Sequence, residues 1–422
     1  MKRYNLKTPE GTRDLLYDEC TVRRDIEAKL MRLFRDNGYS EVVTPAVEFY
    51  DVFAEHFAAE CVYKTTDSKG RQLVFRPDST LPIMRLAETR LRDEPRPLRL
   101  CYNQNIYRNN PKEQGRDDEI AQCGVELIGS DCYSEVVELA KRALACISDD
   151  YLFEQSDSHD KYYSGPVFSG YISGYGKPVL TGGKYQVGDS SAVGFAVNVS
   201  ALAEVCSRVA NNANRDVIRI ALTKGRVEKE SVKLFGKMGW DMSAYADRGR
   251  KLTFAVPDTN VEIVIAKSAD VITYVGMGAC DIGITGKDML DEYGGNFAEL
   301  LDLGIGKCKF SLIVPAGCDF YAGHAIKKVA SKYTAVTRRY FESKGMDVDI
   351  VKIEGSVEIS PLLGVVDGIV DIVETGATLR ENGLEVIEDI SGISARVIVN
   401  PVAAKLRGGD IMDIVRLIEG VL

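Results

Sequence analysis

The loop Asp371-Ile-Val-Glu-Thr-Gly-Ala-Thr378 contains the residues of this chain that are best suited to bind a phosphate group. A strand-like apolar run, Gly368–Val373, leads directly into it. The loop then continues with small and hydroxyl-bearing residues: Thr375, Gly376, Ala377 and Thr378. Their backbone N–H groups and two hydroxyls can surround phosphate oxygens, and the first turn of a following helix would add a favourable dipole. The pattern therefore predicts a monophosphate site after a strand.

Two carboxylates of the same loop, Asp371 and Glu374, could serve the sugar that carries such a phosphate. They are placed to accept hydrogen bonds from ribose hydroxyls or to hold Mg²⁺ on a pyrophosphate. The spacing alone is also typical of a hydroxyl-capped helix that follows a strand without any ligand. Both interpretations stay open at this point.

The composition excludes several other classes of protein. A chain of 422 residues with 45% hydrophobic and 27% charged residues is typical of a soluble globular protein with two or three domains. The net charge of -9 argues against a protein whose partner is nucleic acid. No apolar run approaches the roughly 20 residues of a membrane span, so we expect a cytoplasmic protein with no membrane partner.

Histidine and cysteine limit the chemistry further. The three histidines, His56, His159 and His324, leave few candidates for a His-centred triad or a multi-His metal site. The ten cysteines include no Cys-x-x-Cys pair, which predicts reduced, structural thiols and no metal bound by the protein alone. Catalysis is therefore expected to depend on electrostatics and on the positioning of substrates.

A polar, Asn-rich stretch at residues 208–216 divides the chain. We place a domain boundary there, between residues 1–210 and 211–422. Upstream, amphipathic stretches at residues 23–37 and 135–148 accompany strand-like runs, which indicates an α+β domain with an antiparallel sheet. Downstream, β-branched runs alternate with helical stretches, one of them predicted at residues 325–344. This alternation indicates an α/β domain with largely parallel strands, whose ligands bind at the carboxyl ends of the strands.

The second half resembles the short form of ATP phosphoribosyltransferase, the first enzyme of histidine biosynthesis, over about residues 215–422. The resemblance rests on the loop and on five further blocks in the family's order: residues 220–226, 248–254, 270–288, 354–361 and 393–401. It implies a two-lobed α/β fold like that of periplasmic binding proteins. It also implies a reaction in which N1 of the ATP adenine attacks C1 of the PRPP ribose and pyrophosphate leaves.

The resemblance also implies roles for individual residues. The 5′-phosphate of PRPP is assigned to Glu374, Thr375, Gly376, Ala377 and Thr378, and the ribose hydroxyls to Asp371. Pyrophosphate and the ATP phosphates are assigned to Lys224, Gly225, Arg226, Arg250 and Glu358, with Mg²⁺ as the cofactor. The expected catalytic residues are Lys224, Arg226 and Asp371. Departures from the family pattern at Thr223, Lys267, Ile272 and Gly276 put details of substrate binding in doubt.

The first half resembles the catalytic domain of histidyl-tRNA synthetase over about residues 5–206. The matching motifs lie at residues 8–14, 34–48, 75–80, 107–108, 121–126, 162–165, 182–185 and 193–196. Ala201 stands where a synthetase has an ATP-binding arginine, and Asn110 stands where it has an acidic residue. An arginine expected shortly before Tyr162 is missing, and no anticodon-binding domain follows. Aminoacylation of tRNA is therefore not expected.

The pattern favours the synthetase-like regulatory subunit of the short-form transferases, here shortened and fused to its partner. In that family the subunit activates the transferase and carries feedback inhibition by histidine. The positions that match histidine contacts are Asp78, Arg108, Gln122, Glu126 and Tyr162, where carboxylates would pair with the ammonium or imidazole group. In the alternative, these side chains satisfy one another in a relic pocket. A histidine sensor, an activator and a scaffold all stay open.

Two other functions remain as alternatives for the second half. Its pattern could also describe a two-lobed solute-binding protein, or a regulatory paralogue that has lost activity. The lack of a signal peptide and the phosphate-binding pattern of the loop argue against the first. If the chain is a fusion of enzyme and regulator, their ratio is fixed at one to one, and we expect a homo-oligomer.

Overall fold

The computed structural model describes residues 6–109, 117–157, 162–209 and 217–422. The chain forms two compact units, Met1–Arg215 and Asp216–Leu422. The predicted boundary between residues 210 and 211 lies outside the described residues, as do Asn110 and His159. None of the helices in the described ranges is both long and apolar enough to cross a membrane.

The first unit contains helices and strands in alternating groups. Its helices are α1 (Tyr17–Asp36), α2 (Thr80–Glu88), α3 (Tyr133–Ala145) and α4 (Val199–Val209). Its strands are β1 (Ser40–Glu41), β2 (Val47–Phe49), β3 (Lys64–Thr66), β4 (Gln72–Phe75), β5 (Leu98–Tyr107), β6 (Glu119–Ile128), β7 (Tyr151–Asp157), β8 (Pro166–Ile172), β9 (Leu180–Val187) and β10 (Ser190–Asn198).

The main sheet of the first unit has the strand order β1-β5-β6-β10-β9-β8-β7, and its neighbours pair antiparallel except for β1 and β5. Helix α1 packs on it because Ile26, Leu30 and Phe34 recur on one helical face and are buried in the core. The predicted antiparallel sheet covered by helices is confirmed. A smaller sheet, β2-β4-β3, leads into α2.

The second unit alternates strands and helices along the chain. Its strands are β11 (Ile218–Thr223), β12 (Thr253–Ala255), β13 (Val261–Ala266), β14 (Ile282–Gly286), β15 (Ala298–Asp302), β16 (Cys308–Pro315), β17 (Lys327–Ser331), β18 (Val348–Lys352), β19 (Gly368–Val373), β20 (Leu384–Ile393) and β21 (Ala395–Val399). Its helices are α5 (Arg226–Lys237), α6 (Ser243–Ala246), α7 (Ser268–Gly276), α8 (Lys287–Tyr293), α9 (Thr334–Ser343), α10 (Ile359–Leu362), α11 (Ala377–Glu381), α12 (Pro401–Leu406) and α13 (Gly408–Glu419).

These elements form two lobes, as predicted. The first lobe, residues 217–302 and 395–422, has the sheet β12-β13-β11-β14-β21-β15, and the second lobe, residues 308–393, has the sheet β18-β17-β19-β16-β20. The prediction of largely parallel strands is wrong, because β12, β15, β16, β20 and β21 pair antiparallel with their neighbours. The parallel core consists of β13, β11 and β14 in one sheet and β18, β17 and β19 in the other.

One predicted helix is also wrong. Residues 325–344 were expected to be helical throughout, but Lys327–Ser331 is strand β17 and the helix starts at Thr334. The centre of this strand, Val329 and Ala330, is fully buried, and the strand pairs with β18 and β19. Burial between two strands outweighs the helical propensity of the flanking residues.

The two lobes contact each other where α8 meets the start of α9. The carboxylate of Glu292 accepts hydrogen bonds from the backbone N–H groups of Ala335 at 2.9 Å and Val336 at 3.1 Å, and from the Thr334 hydroxyl at 3.2 Å. A residue of the first lobe therefore caps a helix of the second lobe. An acidic group at this position also interacts favourably with the helix dipole.

Replacement of Glu292 with alanine should loosen the first turn of α9, because three donors lose their acceptor. We expect a loss of about 1–2 kcal/mol in the free energy of unfolding. Faster hydrogen–deuterium exchange at Ala335 and Val336, together with urea unfolding, measures the effect. Glu342→Ala, at the exposed carboxyl end of α9, serves as the control. Equal exchange in both variants would contradict the capping role of Glu292.

Candidate active site

The phosphate loop, residues 371–378, begins inside β19 and ends in the short helix α11. Gly376 has φ 68° and ψ 11°, a left-handed conformation that favours glycine. The backbone N–H groups of Thr375, Gly376 and Thr378 make no hydrogen bond to any described residue. These donors are available for an anion. Helix α11 has five residues, so its dipole contributes little, and the N–H groups themselves would hold the phosphate.

Asp371 lies near the end of β19, where the phosphate loop begins, and its side chain is half-buried. Burial raises the pKa of its carboxyl group, and the charge of Glu358 raises it further, whereas the Ile372 N–H group and Lys332 oppose the shift. The structure thus brings Glu358 close to Asp371. Glu358 directly precedes α10, but its side chain makes no capping hydrogen bond, so helix capping does not explain an acidic residue at this position.

The turn at Lys224, Gly225 and Arg226 follows β11, at the carboxyl end of the parallel strands. Gly225 has φ 110° and ψ -127°, which requires glycine. Its N–H group donates to Glu228 Oε2 at 3.0 Å, which fixes the start of α5. Lys224 and Arg226 are both exposed, and the Arg226 Nη1 atom lies 2.6 Å from Glu374 Oε1 of the phosphate loop. The structure therefore brings the predicted basic turn and the predicted phosphate loop together.

The buried carboxylate of Glu228, which accepts the Gly225 N–H group of that turn, also binds two side chains. Glu228, which is 3% exposed, accepts hydrogen bonds from the Tyr245 hydroxyl at 3.0 Å and from the Arg248 guanidinium group. Within residues 248–254, the arginine that makes an ion pair with Glu228 is thus Arg248, which the sequence did not indicate as a site residue. Arg250 is exposed and makes no ion pair with any residue in the described ranges, so its role in binding ATP or pyrophosphate stays a prediction.

Asp288 and Tyr333 form a polar contact between the lobes that the sequence also did not single out. The Tyr333 hydroxyl donates to Asp288 Oδ2 at 3.2 Å. Burial raises the pKa of both groups, and the charges of Asp288 and Asp371 raise that of Tyr333 further. Tyr333 therefore lies within the electrostatic influence of both Asp288 and Asp371. The position of Asp288 directly after β14, at a strand's carboxyl end, was the available signal.

Three carboxylates of the second unit could help to hold a Mg²⁺ ion that a substrate also binds. Asp371, Glu358 and Asp288 supply carboxylate oxygens, the donors that Mg²⁺ prefers. Within the described residues no group of three or more metal-binding side chains is arranged to hold an ion by itself. Mg²⁺ commonly binds through one or two carboxylates together with substrate phosphates, so these residues fit an ion that arrives on pyrophosphate.

The five residues predicted to contact histidine lie around the start of α2 in the first unit. Asp78 Oδ1 accepts the N–H groups of Thr80 at 2.8 Å and Leu81 at 3.0 Å. Glu126, which is 1% exposed, accepts hydrogen bonds from Thr80 Oγ1 at 2.7 Å and from the Tyr185 hydroxyl at 2.5 Å. Asp78 and Glu126 are thus already partnered, as the relic-pocket alternative requires.

The other three predicted residues surround these carboxylates. Arg108 donates to the Pro77 carbonyl at 2.8 Å, and its Nη2 atom lies 3.8 Å from Asp78 Oδ2. Gln122 accepts a hydrogen bond from Ser79 at 3.3 Å. Tyr162 stacks on Tyr185 with 5.9 Å between ring centroids. The sequence therefore identified a set of residues that is clustered in space.

Ala201 is fully buried in the apolar core of the first unit. Its methyl group supplies no charge to a nucleotide, which agrees with the expected loss of amino-acid activation. The other two departures from the synthetase pattern, at Asn110 and before Tyr162, cannot be placed because residues 110–116 and 158–161 lie outside the described ranges.

Comparison with known families agrees with this architecture. The family model of histidyl-tRNA synthetase matches residues 11–156 and 149–202, and that of ATP phosphoribosyltransferase matches residues 267–420. The class of protein is therefore a phosphoribosyltransferase that follows a synthetase-like unit.

Individual relatives identify the family. An ATP phosphoribosyltransferase of Clostridium kluyveri is 52% identical over 202 residues, which are 48% of this chain and 92% of the relative. Those of Bacillus cytotoxicus and Clostridium novyi are 50% and 48% identical, over 49% of this chain and 97% and 98% of the relatives. The chain belongs to the ATP phosphoribosyltransferase family.

Two solved structures are also similar. The ATP phosphoribosyl transferase (HisG:HisZ) complex from Thermotoga maritima is 30% identical over 49% of this chain and 98% of that chain, with a TM-score of 0.43. An ATP phosphoribosyltransferase regulatory subunit/histidyl-tRNA synthetase from Bacillus halodurans C is 22% identical over 64% of this chain and 95% of that chain, with a TM-score of 0.44.

The stability of the first unit should fall as the pH rises, because of Glu126. Burial raises the pKa of this carboxyl group from 4.5 to about 8. Between these values the unfolded chain has lost the proton that the folded chain keeps, so rising pH favours unfolding. Urea unfolding between about pH 5 and about pH 8, with hydrogen exchange of β6 as the local probe, measures the slope.

Glu126→Gln carries no ionisable group at this position, and we expect it to flatten the dependence on pH. Glu138→Gln, on the exposed face of α3, is the control and should leave the slope unchanged. A slope that is the same in all three proteins would show that Glu126 does not cause it.

Proposed function

We propose that the Asp216–Leu422 unit condenses ATP with PRPP to form N1-(5-phosphoribosyl)-ATP and pyrophosphate, the first step of histidine biosynthesis. The observation that carries this proposal is the meeting of the phosphate loop with the basic turn: Arg226 and Glu374, 148 residues apart in sequence, lie 2.6 Å apart. Membership of the family supports the same reaction and disfavours a solute-binding protein.

In this proposal the loop binds the 5′-phosphate of PRPP. The N–H groups of Thr375, Gly376 and Thr378, which have no partner in the described part of the chain, donate to phosphate oxygens, and the Thr378 hydroxyl adds a further donor. Asp371 accepts hydrogen bonds from the ribose hydroxyls. From its half-buried position beside the loop, it would orient the sugar for attack at C1.

The reaction itself forms a bond from adenine N1 to ribose C1 and breaks the bond from C1 to the pyrophosphate oxygen. The attacking ring nitrogen has a free lone pair, so no strong general base is required. Lys224 and Arg226 are placed to neutralise the charge that develops on the leaving pyrophosphate. A Mg²⁺ ion bound to pyrophosphate would add positive charge there, and Asp371, Glu358 and Asp288 are the carboxylates that could help to hold it.

We further propose that the Met1–Arg215 unit is a regulatory domain that binds histidine. The clustering of Asp78, Arg108, Gln122, Glu126 and Tyr162 supports this role, because the carboxylates can pair with an ammonium or imidazole group and Arg108 with a carboxylate. Covalent fusion fixes the ratio of the two functions at one to one, and we expect the chain to form a homo-oligomer in the cytoplasm.

Loss of one side chain that binds the sugar phosphate should lower activity strongly. We expect Asp371→Asn and Thr378→Ala each to reduce kcat/KM for PRPP by about ten- to hundredfold, because each removes a hydrogen bond to or from a charged group. Thr378→Ser keeps the hydroxyl and should retain most of the activity. Formation of phosphoribosyl-ATP from ATP, PRPP and Mg²⁺, followed by absorbance, measures the rates. Absence of product from the folded wild-type protein would contradict the proposed reaction.

Histidine binding should release a proton near neutral pH. The raised pKa of Glu126, about 8, keeps its carboxyl group mostly protonated, whereas a bound cation favours the ionised form. Calorimetric titration of histidine in two buffers of different ionisation enthalpy gives the number of protons released. Glu126→Gln should bind histidine more weakly and release fewer protons. If histidine neither binds the wild-type protein nor inhibits it, the first unit is an activator or a scaffold.

A further inference from the structure

The ion pair of Arg226 and Glu374 is an unusual contact for a site that binds phosphate. Arg226 is the first residue of α5 in the first lobe, and Glu374 is the first residue after β19 in the second lobe. Their side chains are 59% and 55% exposed, with 2.6 Å between Nη1 and Oε1. The pair therefore links the lobes through the same residues that the proposed reaction needs for its anionic substrates.

The backbone fixes both partners in place for this contact. Gly225 and the buried Glu228 set the start of α5, and so determine where Arg226 projects. Glu374 directly precedes the N–H groups of Thr375 and Gly376, which are unpaired among the described residues. A carboxylate beside an anion site repels an incoming phosphate, unless a cation lies between them or the carboxylate moves away. Arg226 is the cation to which both the carboxylate and the substrate would bind.

We propose that Glu374 acts as a stand-in anion: it occupies Arg226 while the site is empty and is displaced when a phosphate or pyrophosphate group of the substrate binds. Glu374 then sets the affinity for anionic substrates by competition and takes no part in bond formation or cleavage. This assignment replaces a direct contact of its carboxylate with the 5′-phosphate. It rests on the proposed function, because it assumes that Arg226 binds a substrate anion.

The expected size of the effect follows from the exposure of the pair. An ion pair between exposed side chains is worth a factor of up to about five in an equilibrium constant, and it is screened by salt. Removal of the competing carboxylate should therefore tighten the binding of an anion by about two- to fivefold at low ionic strength, and by less at high ionic strength. Removal of Arg226 should weaken the same binding.

Calorimetric titration of the full chain with inorganic pyrophosphate tests the proposal. Four proteins are compared: wild type, Glu374→Gln, Arg226→Gln and the double variant. We expect Glu374→Gln to lower the Kd for pyrophosphate about two- to fivefold, because an exposed ion pair no longer competes. In the Arg226→Gln background the same change should have no effect. The matched control is Asp413→Asn, which breaks the exposed pair of Arg416 and Asp413, 3.1 Å apart and both 70% exposed, in the same unit. It should leave the Kd unchanged.

Several results would overturn the stand-in role. Weaker binding of pyrophosphate by Glu374→Gln would show that the carboxylate assists binding. Unchanged binding would show that the carboxylate has no effect on it. If Glu374→Gln tightens the binding of pyrophosphate equally with and without Arg226, the carboxylate repels the ligand and does not compete for Arg226. If the wild-type protein does not bind pyrophosphate at all, the stand-in role has no basis. Failure of the proposed function has a different signature: the wild-type protein would bind pyrophosphate in these titrations yet form no phosphoribosyl-ATP from ATP and PRPP.

Discussion

Backbone hydrogen bonds around Ser394 determine where the two sheets of the second unit meet. The N–H group of Lys287 donates to the Ser394 carbonyl, and that of Ala395 donates to the Ile305 carbonyl, each at 2.9 Å. The Ser394 hydroxyl also donates to Asp302 at 2.6 Å. The chain passes between the lobes at Ser394 and at residues 303–307, and these bonds tie the two crossings together. Arg226 contacts Glu374 and Tyr333 contacts Asp288 across the lobes, and each of these residues follows a parallel strand of its sheet, so the carboxyl ends of these strands face each other.

This constraint explains how a site with few histidines can still perform group transfer. The site combines N–H groups that are unpaired among the described residues, exposed cations and half-buried carboxylates, drawn from both lobes. The carboxylates would be unfavourable next to phosphates by themselves, and burial already raises the pKa of Asp371 and Asp288. Their presence makes sense if ribose hydroxyls and substrate-bound Mg²⁺ are their partners. In the proposed reaction, electrostatic positioning therefore takes the place of acid–base chemistry.

The sequence predicted those parts of the site that are local in the chain. The phosphate loop was predicted because an apolar strand runs directly into a glycine and two threonines. The basic turn was predicted because Lys224 and Arg226 follow a strand inside a block that resembles the family. The contact of Tyr333 with Asp288 was not recognisable, because 45 residues separate them. The Arg248 partner of Glu228 lies 20 residues away and was missed for the same reason. Strand β17 was mistaken for a helix, since only its two neighbours in the sheet reveal that it is buried.

The proposed histidine site of the first unit depends on the hydrogen bonds of one buried carboxyl group. Ala201 leaves the core intact but contributes no charge, whereas Thr80 and Tyr185 still donate to the buried carboxyl group of Glu126. A neutral carboxyl group with two hydroxyl partners is stable in an empty pocket, because no charge is buried. Once a cationic ligand enters, the same two hydroxyls stabilise the ionised form. The hydrogen bonds that stabilise the neutral carboxyl group of Glu126 therefore also lower the free-energy cost of ionising it, a property that would suit the proposed histidine sensor.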